Sequence, residues 1–194
     1  MRLIRLLKRM GKYRIILVDA DVVSHFLVAG RINELSVILA PNLVFIVDNV
    51  YNEAIRHPSD PDRKTKVDTW IKECKITRIP FPFANEKVRM EFYRIKKDYP
   101  MLDEGERACM AMSRYCKEVI ASSNFNDIKQ YAEDNGIEYI GCIDILYVAW
   151  KNGLFSSVDC NNFINTALTI NHARFPVFRI EDYQPDRDLS LFLH

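Results

Sequence analysis

The stretch Ile15-Ile16-Leu17-Val18-Asp19-Ala20-Asp21 sets four consecutive apolar residues against two carboxylates, and an apolar helical run follows from Val22 to Ala29. A short unbroken apolar run bounded by polar residues is the pattern of a strand buried on both faces, as in a parallel sheet. Open α/β sheets keep their chemistry at the carboxyl ends of the strands, so Asp19 stands where a functional group is expected. Carboxylates recur at comparable junctions. Glu53 lies in the helix entered after Val44-Phe45-Ile46-Val47, and Asp103-Glu104-Gly105-Glu106 opens a helix ending near Cys116. Acids brought together from three segments suit Mg²⁺ or Mn²⁺, hard cations that prefer oxygen ligands to imidazole or thiolate.

Along the rest of the chain, strands are expected at residues 43–47, 75–79, 119–121, 137–140 and 175–180. Helices are expected at 32–39, from 48, and at 67–74, 85–99, 103–116, 127–135, 144–151 and 158–173. Residues 56–64 contain two prolines and no apolar residue, and read as a solvated loop. Alternating strands and helices without an internal repeat give a three-layer α/β/α sandwich around a central, mostly parallel sheet. The organisation expected is a basic N-terminal arm at 1–14, a core domain at 15–155, and a C-terminal helix, strand and tail at 156–194 packed on that domain.

With 194 residues, 48% hydrophobic and 27% charged, the composition is that of one globular domain. The net charge of +1 hides an asymmetry. Arg2, Arg5, Lys8, Arg9, Lys12 and Arg14 share the first 14 residues with no acid, so the other 21 Lys and Arg face all 26 Asp and Glu. Such an arm suits an anionic partner, or alternatively forms an amphipathic cap helix with Leu3, Ile4, Leu6, Leu7 and Met10 on one face. No apolar run is long enough to span a membrane. Five cysteines, odd in number and without a C-x-x-C pair, support neither a disulfide framework nor a zinc site, which points to a reducing cytoplasm.

The acidic segment at 103–106 has an ordinary structural explanation, with Asp103 as helix N-cap and Glu106 as its capping-box partner. It gains weight in company. The ordered set Leu17-Val18-Asp19-Ala20, Val50-Tyr51-Asn52-Glu53, Leu102-Asp103-Glu104-Gly105-Glu106-Arg107-Ala108 and Val119-Ile120-Ala121-Ser122-Ser123-Asn124 resembles a PIN domain. Ala132, Gly136 and the Leu146, Ala149 and Gly153 spacing extend the likeness to about residue 155.

The resemblance implies an α/β/α metal-dependent endoribonuclease. Prokaryotic members include VapC-type toxins of toxin–antitoxin pairs, which implies RNA as substrate, an antitoxin protein as partner, and a homodimer. Carried over position by position, Asp19, Glu53 and Glu106 match the family's first three acids and would hold Mg²⁺ or Mn²⁺. The chain departs at the fourth acid, where Ser122-Ser123-Asn124 stands. Asn124 then becomes a catalytic positioning group, Ser122 and Ser123 supply hydroxyls toward the substrate, and Asp127 is an alternative fourth acid. Arg2, Arg5, Lys8 and Arg9 are expected on the RNA backbone. Two other readings are kept: a non-catalytic PIN-like module that binds RNA or protein, and a haloacid-dehalogenase-like phosphatase using Asp19 as nucleophile and Asp21 as acid/base.

Overall fold

A computed structural model describes residues 13–57 and 60–193 of the chain. Arg2, Arg5, Lys8 and Arg9 lie outside the described residues. Arg14, at the end of the basic arm, is ion-paired to Glu138 at 2.9 Å.

Five segments build one all-parallel sheet: β1 (Ile15–Val18), β2 (Leu43–Val47), β3 (Thr77–Ile79), β4 (Val119–Ser122) and β5 (Tyr139–Gly141). Their order is β3-β2-β1-β4-β5. Every residue of β1 and β4 is buried, which is why those runs carry no alternating polar positions. Leu17 sits between Phe45 of β2 and Ile120 of β4, at the centre of the sheet.

Between and after the strands come α1 (Ala20–Val28), α2 (Glu34–Ile38), α3 (Asp48–Ala54), α4 (Arg63–Glu73), α5 (Glu86–Asp98), α6 (Glu104–Cys116), α7 (Phe125–Asn135), α8 (Cys142–Lys151) and α9 (Ser157–Ile170). Helix α6 packs on β1, β2 and β4 with α5 and α7 beside it, while α9 packs on α1 and α8. The expected α/β sandwich is therefore the observed architecture. The chain moves outward from β1 through β2 to β3, then returns to place β4 on the other side of β1. That reversal opens a crevice at the carboxyl ends of β1 and β4, where doubly wound sheets bind ligands.

Two local expectations are corrected. No strand forms at residues 175–180, which run as irregular chain into a single 3₁₀ turn, Ile180–Asp182. Pro176 has no N–H to give to a ladder, and the Ile180 N–H donates instead to Asn161 Oδ1 of α9 at 2.8 Å. Arg63, read as part of a solvated loop, is only 3% exposed and opens α4. Its Nε donates to the Ala54 carbonyl at 2.6 Å, placing a cation on the C-terminal end of α3, where the helix dipole favours one.

The C-terminal segment is pinned to the sheet through Asp144, in the first turn of α8. This carboxylate is fully buried. It accepts hydrogen bonds from Gly141 N at 2.8 Å and from Tyr183 Oη at 2.6 Å, and Arg187 Nε stands 3.6 Å away. Among the described residues no helix is long and apolar enough to cross a membrane.

Tyr183→Phe deletes one donor to a buried carboxylate and should destabilise the domain by about 1–3 kcal/mol. Hydrogen exchange should show the lost protection concentrated beyond residue 171; protection lost evenly over the sheet would disprove the anchoring role.

Candidate functional site

The crevice at the β1–β4 reversal is closed by Asp19 and Ser122. Asp19 N donates to the Ala121 carbonyl at 2.9 Å, carrying the sheet ladder one residue beyond β1. The Asp19 side chain is 1% exposed. It caps α1 by accepting from Ala20 N at 2.7 Å through Oδ1, and accepts from Ser122 Oγ at 3.1 Å through Oδ2. Ser122 Oγ in turn accepts from Asn124 N at 3.1 Å.

Two further carboxylates enter from α3 and α6. Glu53 Oε1 accepts from Gly105 N at 2.9 Å, in the first turn of α6. This approach depends on the glycine, because a Cβ on residue 105 would lie 2.3 Å from Glu53 Oε2 and 3.0 Å from Val50 Cγ2. Glu106 divides its two oxygens. Oε2 accepts from Asp103 N at 2.9 Å, which is the capping bond expected from the sequence, and Oε1 accepts from Asn124 Nδ2 at 2.9 Å. A carboxylate only accepts, so the amide must turn its nitrogen to Glu106. Asn124 therefore meets an acid with its amide nitrogen.

The acids act on one another. Burial first, then Glu106 and Asp21, raise the Asp19 carboxyl well above its ordinary range, with Glu53 adding and the Ala20 amide opposing. Burial raises Glu53 to about 7, against the Gly105 hydrogen bond and with Asp103, Glu106 and Glu104 adding. Glu106 is also raised by burial, opposed by its hydrogen bonds from Asp103 and Asn124, while Asp21 and Asp103 push it up. Asp21 is exposed on α1; partial desolvation and Asp103 raise it, and Arg63 pulls it down. Below them the Cys109 thiol is pushed up by burial and by the charges of Asp19, Glu53 and Glu106 together.

Among the described residues Asp19, Glu53 and Glu106 form no ion pair with Lys, Arg or His. An all-oxygen, acid-rich, cation-poor donor set fits a hard divalent ion in chemistry. In placement it is not a finished ligand set: no group of three His, Cys, Asp or Glu among the described residues is arranged to hold a metal ion, each carboxylate being turned to a hydrogen-bond donor.

Of the remaining expected residues, Ser123 lines the adjoining cleft, and its buried hydroxyl has no hydrogen-bond partner among the described residues. Asp127 falls in the first turn of α7. Beside the acids opens a cleft of about 500 Å³, with Ser123 and Asn124 on one wall and Arg174, Phe175 and Tyr183 on the other. The sequence reading missed that second wall because it assigned residues 175–180 to a strand. Its available signal was arginine interleaved with aromatics around a proline.

Between the ordinary value of 4.5 and about 7, folded Glu53 keeps a proton that the unfolded chain has released. Stability of the metal-free protein should therefore fall as pH rises through that window. Thermal unfolding in chelator should give a Tm lower by about 5 °C at pH 7.5 than at pH 5, and Glu53→Gln should flatten the difference. An unchanged slope in that variant would show that Glu53 is not the responsible group.

Compared with protein-family models and with curated proteins, the chain matches none.

Proposed function

We propose that this protein is a PIN-like, Mg²⁺- or Mn²⁺-dependent ribonuclease, acting as the toxin of a toxin–antitoxin pair. The observation that carries the reading is the convergence of Asp19, Glu53 and Glu106 from the end of β1, α3 and α6 at the sheet's reversal point, without a cation paired to them among the described residues. Like charges gathered in a buried crevice oppose folding unless protons or a metal relieve them.

Asp19, Glu53 and Glu106 would hold the ion, which supplies Lewis-acid charge for phosphodiester hydrolysis. Ser122 fixes the Asp19 carboxylate through Oδ2. Asn124 fixes Glu106 and is the group shared with the adjoining cleft. Gly105 admits Glu53 by lacking a side chain. The bulk of the domain keeps water off Asp19 from below.

A second reading, a non-catalytic PIN-like module that binds RNA or protein, draws on one observation: Asn124 replaces the family's acid and already satisfies Glu106. The phosphatase reading is less favoured. It asks Asp19 to attack as a nucleophile, and Asp19 is buried with both oxygens engaged.

Calorimetric titration of Mn²⁺ should give binding to the wild type that weakens at least tenfold in Asp19→Asn. RNA cleavage should require the ion and stop in chelator. Equal binding by both proteins, or none by either, would rule out the site.

Gly105→Ala separates placement from stability. The Glu53 carboxylate must swing aside, while the helix gains up to about 1 kcal/mol of propensity. The variant should stay folded within a few degrees of the wild-type Tm, yet bind Mn²⁺ at least tenfold more weakly. Undiminished Mn²⁺ binding would remove Glu53 from the ligand set.

A further inference from the structure

The cleft beside the acids is chemically unlike them. Asp186, on its rim, is answered by Lys129 and Arg187, each at 2.7 Å. Arg174 is exposed on the cleft wall and has no ion-pair partner among the described residues. The cleft thus carries an unspent positive charge a few side chains from a crowd of negative ones, and Asn124 belongs to both places. A phosphodiester strand fits this polarity, with one phosphate at the acids and its neighbour at the guanidinium.

The chain leaving the cleft is equally unusual. Phe175 contributes to the cleft wall and packs edge-on against His25 at 6.0 Å. Phe178 is 81% exposed, an apolar ring held in water at the cost of its burial energy. Phe175 and Phe178 are at most ~10 Å apart along the chain, which is the scale of one or two nucleotide steps. The segment forms no strand, so its backbone does not template a sheet. It is nonetheless held downstream, by Ile180 N to Asn161 and by Tyr183 to Asp144. Arg179 pairs with Glu181 at 3.2 Å, which leaves Arg174 as the segment's cation for a phosphate.

We propose that the cleft and residues 174–178 form a track for single-stranded RNA, in which Arg174 contacts the phosphate next to the cleaved one and Phe178 stacks on a base. A space of about 500 Å³ takes a nucleotide, and stacking on Phe178 needs a base that is free of a duplex. The proposal rests on the ribonuclease reading for the position of the cleaved phosphate.

Fluorescence anisotropy with short single-stranded RNAs, measured on the full chain in chelator, tests it. Arg174→Ala should weaken binding at least fivefold and reduce the salt slope by about one phosphate contact. Phe178→Ala should weaken binding at least fivefold with the salt slope unchanged. Duplex RNA of the same length should bind at least tenfold more weakly than the single strand. Both positions are exposed, so circular dichroism should show both variants folded. Wild-type affinity in both variants, equal affinity for duplex, or no RNA binding by the wild type would overturn the track. If the variants lose binding but wild type with Mn²⁺ never cuts RNA, the track stands and the ribonuclease reading fails. If wild type cuts RNA and both variants keep its KM, the ribonuclease reading stands and the track fails.

Discussion

The site depends on holding negative charge in a place that water barely reaches. Asp19 follows the central strand, and two groups keep its carboxylate in place: the first amide of α1, from the next residue, and the hydroxyl of Ser122, from 103 residues away. Two hydrogen bonds stabilise one carboxylate. They do not neutralise Glu53 and Glu106 beside it, and the three acids push one another toward protonation. An apolar core arranged only for stability would have no reason to gather them, since protonation or a bound cation is the way such a cluster is relieved.

Much of the surrounding structure serves that placement. Helix α6 brings Gly105 against α3, and the missing Cβ leaves room for the Glu53 carboxylate. Arg63 caps the far end of α3 from α4, fixing the short helix on which Glu53 rides. Glu106 performs two functions at once, capping its own helix with one oxygen and meeting Asn124 with the other. The capping explanation for Glu106 accounts for one oxygen, and the other is left to face Asn124.

On the other side, the buried Asp144 holds the C-terminal segment to the end of β5 through Tyr183. This anchor turns a stretch without regular structure into a defined cleft wall. An acid just after a strand can thus be purely architectural: Asp144 has its donors and a nearby guanidinium, whereas Asp19, Glu53 and Glu106 have no ion-pair partner among the described residues. Pairing, rather than burial or position alone, separates the structural acid from the candidate site acids.

Local chemistry made much of this legible from the sequence alone. Unbroken apolar runs identified β1, β2 and β4, because a strand covered on both faces has no place for a polar residue. Acids after the strands singled out Asp19, Glu53 and Glu106 as candidates, although Glu53 lies in the last turn of α3 rather than at its start, and the spacing from Asp103 to Glu106 identified the cap. Other features were decided only by the tertiary structure. The strand order sets β4 beside β1 and brings Ser122 to Asp19 across 103 residues, and apolar periodicity carries no information on which strands become neighbours. Asn124 turns its nitrogen inward because Glu106, supplied by another element, can only accept. Arg63 is buried because the end of α3 lies above it, although its own neighbours are polar. Residues 175–180 are apolar and branched enough to read as a strand but find their partners in Asn161 and His25, because Pro176 cannot donate to a ladder.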